Sequence, residues 1–334
     1  MSEDRGRDGR LLWERLLRPS AQAFMREAKS ATDLSLFDRL HGYTYGRWPY
    51  LYIGVASGEH RLARILRPIG RWILGLFGAE GSGEQVDAGA AFADTYHGKA
   101  VPLEQATQLV TVQEEIRLPD LEHVIPYRRA RDIVLKNPDH IVVLDCPCRD
   151  ARADPCEPLD VCLIVGEPFA GFVAEHHPHR SRWVTPEEAV EILRAEDERG
   201  HVHHAFFKDA MLERFYAICN CCACCCGAMQ AHQSGVPMLA SSGYICRVDV
   251  ELCVACGSCV DACQFGALSV SDTAIAVDDD ACMGCGVCIS RCAQDALSLV
   301  RDATKGEPLD IRALTGAHLQ AERPLKPLEA AVRE

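Results

Sequence analysis

Between Cys253 and Cys292 the chain writes one cysteine pattern twice, CVACGSCVDAC and CMGCGVCISRC, with each cysteine of the first copy 29 residues ahead of its counterpart. A C-x2-C-x2-C loop is tight enough for three thiolates to take three irons of one iron-sulfur cube. A fourth cysteine, after three intervening residues, is already turning into a helix and points toward a different cube. The duplication therefore demands two clusters held close together. It also extends beyond the sulfurs: Gly257 matches Gly286, Val260 matches Ile289, Ala267-Leu268-Ser269 matches Ala296-Leu297-Ser298, and Asp249 and Asp278 precede the loops at equal distance. Each half reads as a strand, a cysteine loop, a short helix and a returning strand, with Tyr244 to Val248 and Ala274 to Val277 as the leading strands.

This segment resembles the bacterial-type ferredoxin with two 4Fe-4S clusters, and the resemblance implies that family's pseudo-symmetric fold and its crossed ligand sets. Applied to this chain, Cys253, Cys256, Cys259 and Cys292 hold one cube, and Cys282, Cys285, Cys288 and Cys263 hold the other. The sequence departs from the family at one place. The proline that usually follows the fourth cysteine of each copy is Gln264 in the first copy and Ala293 in the second. Proline is not a ligand, so the departure bears on the local turn and on potential rather than on cluster binding. Zinc sites space their C-x2-C pairs further apart, which argues against zinc here.

The repeat occupies a small part of 334 residues, and eleven of the 19 cysteines lie outside it. With no apolar leader after MSEDRGRDGR and no apolar stretch long enough to span a bilayer, the surplus argues against a disulfide scaffold and for a reduced, cytoplasmic chain. The formal charge of -13 makes nucleic acid an unsuitable partner. Ten of the surplus cysteines form two sets. CPCRDARADPCEPLDVC carries Cys146, Cys148, Cys156 and Cys162, and CNCCACCC carries Cys219, Cys221, Cys222, Cys224, Cys225 and Cys226. Adjacent residues cannot all face one metal along a regular backbone, so the second set must divide between sites. Three accounts remain open: two further clusters drawing on both sets, since eight thiols suffice; one unusual cluster of catalytic type with spare redox thiols; or structural zinc or disulfide thiols. Cys246, alone on an expected strand, reads as a small core residue.

The surrounding segment reads as α/β. Ile125 to Lys136 has helical spacing, His140 to Asp145 is a buried strand delivering Cys146, and Val161 to Gly166 is a second strand. Thr185-Pro186-Glu187-Glu188 is a capping box that starts a helix ending at Gly200. His201 to Phe207, with its histidines alternating, reads as a half-exposed strand, and Phe215 to Cys219 as another. Over residues 120 to 302 the chain resembles a family of bacterial and archaeal 4Fe-4S proteins in which a C-x-C-R segment (Cys146, Cys148, Arg149) and a C-N-C-C-x-C-C-C segment precede a two-cluster ferredoxin module. That resemblance implies electron transfer and names no substrate.

The expected fold class is α+β, in four parts: a mainly helical region 1–100, a cysteine-rich α/β domain 101–243, a ferredoxin-like domain 244–302 and a partly ordered tail 303–334. In the first part Arg61 to Phe77 forms a basic amphipathic face suited to an anionic membrane surface or a membrane complex, or simply to the core. Residues 79–91 read as a loop. No Walker loop or dinucleotide fingerprint is present. The sequence thus reads as a multi-cluster electron carrier serving redox protein partners as a subunit or donor in an anaerobic system. The competing classes are a reductase with a catalytic iron-sulfur site at Cys219 to Cys226 and a cluster-assembly or metal-storage protein.

Overall fold

The run Ile141-Val142-Val143-Leu144 has no polar face because the sheet it joins is covered on both sides. Ile141 and Val143 pack into one apolar layer, Val142 and Leu144 into the other, as the two-residue period of a strand requires. A computed structural model of the chain describes residues 17–30, 34–63 and 85–321. It is α+β throughout.

The sheet comprises, among the described residues, β1 (Tyr96–Ala100), β2 (Ile116–Leu118), β3 (Ile133–Asp145), β4 (Asp160–Glu167), β5 (Ser181–Val184), β6 (Val202–Lys208), β7 (Arg214–Cys221) and β8 (Leu239–Ala240). Their spatial order is β2-β3-β4-β7-β6-β1-β8, and β5 shares the β2 edge of β3. All pairings are antiparallel except β1 with β8. Helices Pro19–Ser30, Leu36–Arg47, Pro49–Ser57 and Phe169–His176 cover the face that carries Val142 and Leu144. Helices Leu103–Val110, Pro186–Glu198 and Ile311–Ala321 lie on the opposite side.

Several expectations need correction. Ile125 to Lys136 is not a helix: Ile125 and Ala130 are buried, but from irregular chain, and Ile133 already belongs to β3. Pro126 interrupts any helix, Ala130 takes a positive φ of 53°, and β2 offers Ile133 to Leu135 a partner; tertiary pairing overrides the local period. Tyr96–Ala100, at the end of the region expected to be mainly helical, adds a strand to its helices. The loop expected over 79–91 is helical from Gln85 onward. The strand of alternating histidines is buried along its whole length rather than half exposed. The tail returns to the molecule, with Leu309 and Ile311 buried, before the helix Ile311–Ala321. The capping box forms as read, Thr185 Oγ1 accepting from the Glu188 amide and Glu188 from that of Thr185. The amphipathic segment Arg61 to Phe77 lies mostly outside the described residues. Among those residues no helix is long and apolar enough to cross a membrane.

Beyond the sheet, β9 (Tyr244–Val248), β10 (Leu268–Val270), β11 (Ile275–Val277) and β12 (Leu297–Arg301) pair as β9 with β12 and β10 with β11. Short helices Ser258–Ala262 and Val287–Ser290 follow the two cysteine loops. Positions 29 residues apart share unusual backbone: Ala255 and Gly284, Gly257 and Gly286, and Gly266 and Asp295 all have positive φ. At Gly284 only glycine fits, because a Cβ would meet the Tyr244 carbonyl oxygen at 2.1 Å.

Candidate metal centres

Within the module, the leading segment and the fourth cysteine of each half are tied in the same way. The Asp249 and Asp278 amides donate to the carbonyls of Ala296 and Ala267, crossing between halves at 2.8 Å each. The Ala267 amide donates to Cys263 Sγ and the Ala296 amide to Cys292 Sγ, both at 3.3 Å. Cys263, Cys282, Cys285 and Cys288 line one cavity of about 20 Å³. Cys292 is near enough to Cys259 to act on it electrostatically, as Cys263 acts on Cys285. Burial raises both Cys259 and Cys285 above an ordinary thiol. Cys246, read from sequence as a core residue, is buried but also lines this inner cavity. Its Sγ lies 3.7 Å from that of Cys288, and its amide donates to Cys282 Sγ at 3.5 Å. Isolation in sequence hid it, since strand pairing rather than loop spacing brings it there.

The two loops face different surroundings. The first is outward: Cys256 is exposed, and so are Val250, Leu252, Val254 and Val270 around it. The second is inward, with Met283 part of the apolar layer of the sheet domain. Ser242 fixes it, the Ser242 amide donating to the Met283 carbonyl at 3.0 Å and its hydroxyl to that of Gly284 at 2.6 Å.

The ten cysteines of the sheet domain fall into two sets. Along β7, Cys219 and Cys221 project to one face while Asn220 projects to the other, where it joins His203 and the Val161 carbonyl. Past the strand end, Cys222, Cys224 and Cys225 gather with Cys156 so that their four sulfurs all lie within 4.8 Å of one another. Cys156 is 3.2 Å from Cys224 and 3.7 Å from Cys222. Here the thiol of Cys224 is lowered: burial alone would raise it, but hydrogen bonds from Cys156, Cys222 and Cys225 outweigh that. Burial pushes Cys156 up to about 11.

The other six form a chain of sulfur contacts. It runs from Cys221 to Cys226, Cys148, Cys146, Cys162 and Cys219. All six line one cavity of about 70 Å³, which Cys222 and Cys225 of the four-sulfur group and Tyr45, Tyr96 and Tyr216 also line. Cys146 is pushed up to about 12 by its contact with Cys148 and by burial. Cys148 is drawn down by Cys146 but raised further by Cys226 and burial, also to about 12. Five thiols raised in this way, those of Cys146, Cys148, Cys162, Cys221 and Cys226, resist ionisation until a cation joins them, which is the demand a thiophilic metal meets.

Arg149 is the cation among the lining residues, and it is already engaged. Its guanidinium, 1% exposed, binds Glu196 Oε2 at 2.6 Å and donates to the carbonyls of Asn220 at 3.1 Å and Pro158. Burial alone would lower Arg149, but Glu196 outweighs it and the guanidinium is held above its ordinary value. One side chain thus ties the loop after β3, the loop before β4, the end of β7 and the helix Pro186–Glu198. Arg152 completes the clamp, donating to the Cys225 carbonyl at 3.0 Å and to Gln230 Oε1 at 2.6 Å.

Gln264 connects the module to this region. Its Oε1 accepts from the Ala223 amide and its Nε2 donates to the Gly200 carbonyl, both at 2.9 Å. Sequence reasoning marked Gln264 as a departure from proline without seeing its partners, which lie 41 and 64 residues away.

Comparison with known proteins places iron-sulfur chemistry in the module. Residues 247–269 match the 4Fe-4S binding domain family. A probable ferredoxin of Methanosarcina thermophila is 50% identical over 32 residues, which is 10% of this chain and 55% of that protein. The chain thus spans about half the length of the curated relative it matches. This is an iron-sulfur, ferredoxin-like segment.

Proposed function

We propose that the protein is a multi-cluster electron carrier whose sites form one line from solvent to the buried face of the sheet. The pseudo-symmetric module holds two 4Fe-4S cubes, an outer one on Cys253, Cys256, Cys259 and Cys292 and an inner one on Cys282, Cys285, Cys288 and Cys263. Cys156, Cys222, Cys224 and Cys225 hold a third cluster, and the larger cavity, which Cys222 and Cys225 also line, lies beyond it. Bound clusters supply one-electron reduction and oxidation at low potential.

The observation that carries this reading is the position of Gln264. It follows Cys263 directly in the chain, and its side chain accepts the amide of Ala223, which stands between Cys222 and Cys224. One residue and one hydrogen bond therefore separate the inner cube from the third site. The Ala267 and Ala296 amides, aimed at Cys263 and Cys292, stabilise negative charge on those sulfurs and adjust potential. At the outer end, exposed Val250, Leu252, Val254 and Val270 give a redox protein partner an apolar contact beside Cys256.

Freeze-quench EPR after mixing the anaerobic protein with reduced methyl viologen tests this. Module signals should appear first and those of the sheet domain later, with the second phase slowed at least about tenfold in Gln264→Pro. Equal sheet-domain reduction rates in the wild type and in a Cys253→Ser, Cys282→Ser variant would sink the reading.

A further inference from the structure

The helix Leu36–Arg47 departs from the ordinary rule for a surface helix. Its inward side is Gly42, Tyr45 and Gly46, all buried, and its outward side, where charge belongs, carries Leu36, Phe37 and Leu40, which are 64%, 75% and 49% exposed. Thr44 continues that side, and with Trp48, Leu51, Tyr52, Val55 and Ala56 it lines an apolar groove along the next helix, Pro49–Ser57. The polar atoms of the groove are already satisfied: Thr44 Oγ1 donates to the Leu40 carbonyl and the Tyr52 hydroxyl meets His41 Nε2, both at 2.8 Å. Single exposed apolar residues are ordinary on a protein surface, but a stripe that runs the length of one helix and on to the next is a contact surface. Charge borders it with one sign. Asp38 is turned back to the Ser35 amide and hydroxyl, and Glu59 is held by Arg152 at 2.8 Å. Arg39 donates to the Leu34 carbonyl at 2.9 Å and Arg47 lies over the Trp48 ring at 5.3 Å, contacts that leave both charges unneutralised. In a chain of net charge -13, residues 36–77 hold six arginines against those two acids.

We propose that this arginine-bordered face rests on an anionic lipid surface, with Leu36, Phe37, Leu40, Trp48 and Leu51 entering the boundary between headgroups and acyl chains. The chemistry of the face suits lipid. Its groove presents apolar surface with its polar atoms turned inward, a tryptophan ring sits well at headgroup level, and an arginine beside it reaches lipid phosphate. Each arginine close to an anionic membrane strengthens binding about fivefold. No helix among the described residues is long and apolar enough to cross a membrane, so the two helices lie in the plane of the surface. Their inward sides, through Tyr45, Gly46, Pro49 and Ile53, line the larger thiol cavity. One layer of helix, about 10 Å, therefore separates that cavity from the docked face. The proposal stands on this face alone and does not depend on what the thiols hold.

Cosedimentation of the full chain, purified anaerobically, with sucrose-loaded vesicles tests this. Binding to phosphatidylcholine vesicles containing phosphatidylserine should exceed binding to phosphatidylcholine alone by at least about tenfold, and should fall as salt is raised. Phe37→Glu with Leu40→Glu should abolish it, and Arg39→Gln with Arg47→Gln should weaken it about thirtyfold, both without change in iron content or thermal unfolding. Equal binding to the two lipids, or none to either, would overturn the proposal. So would full binding by either pair of variants, which would assign the lipid contact to another part of the chain. Absence of binding together with a lower unfolding temperature in the glutamate pair would show that the chain itself covers the face. Absence of binding together with a wild-type dimer that the glutamate pair dissociates, seen by sedimentation velocity, would give the face to a second copy. The comparison of the two lipids needs no variant, and the arginine pair locates the contact should the glutamate pair fail to fold.

Discussion

The module and the larger cavity of the sheet domain gather sulfur by opposite means. In the module, three of four thiols at each site come from one loop of seven residues, and the chain itself sets the spacing. The four-sulfur group of the sheet domain still takes three thiols from Cys222 to Cys225, but the larger cavity draws on the end of β3, on β4, on β7 and on the turn after it. A local site needs little more than its own loop, whereas a dispersed site exists only while the sheet holds its register.

Breaking the sheet's clamp should separate the two regions most sharply. Arg149→Met leaves Glu196 buried beside His201 with only the half-exposed Arg199 as its guanidinium partner, a change that costs up to about 3–5 kcal/mol. Iron bound by the sheet domain should be lost while the module's EPR signals persist. Parallel loss of both would show that the module has no independence. The converse variant, Cys253→Ser with Cys282→Ser, should remove about eight irons and leave the thermal unfolding of the sheet domain within a few degrees of wild type, measured by far-UV circular dichroism.

The junction responds to pH through Lys99. This residue is 1% exposed, donates to the Ser241 carbonyl at 2.7 Å, and is lowered to about 7, first by burial and then by Arg301. An unfolded lysine titrates near about 10.4, so between those values the unfolded chain binds the extra proton and stability rises with pH. Urea unfolding at pH 7.5 and pH 9 should therefore show a gain at the higher pH that Lys99→Met abolishes; an identical gain in both proteins would assign the slope elsewhere. The smallest effect concerns the helix that carries Glu196. Thr185→Ala removes the cap on Glu188 and should cost about 1 kcal/mol, with no change in iron content.

The same contrast explains what could be read from sequence. The module's loops and leading strands were legible because the repeat states them twice, 29 residues apart. The ten sheet-domain cysteines were legible as ligand candidates, and the need to divide Cys224, Cys225 and Cys226 followed from backbone alternation. Their partition was not legible, because it depends on Leu144 lying opposite Cys162 and His204 opposite Cys219. Helical spacing over Ile125 to Lys136 misled because β2, which claims Ile133 to Leu135, arrives from earlier in the chain. Cys246 and Gln264 were visible but uninformative alone, since each acquires meaning from a partner far away in sequence.

Met283 carries a consequence for biogenesis. Its side chain is buried in the apolar layer of the sheet domain, and Gly284 beside it packs against Tyr244 with no room for a Cβ. Once docked, the inner loop is shut between two bodies, while Cys256 of the outer loop stays open to solvent. Maturation is thereby expected to have an order, in which the inner loop receives its iron before docking and the outer loop can be repaired afterwards. Exchange of added iron-57 into the finished protein should then reach the outer site first, and equal exchange at both would exclude a fixed order.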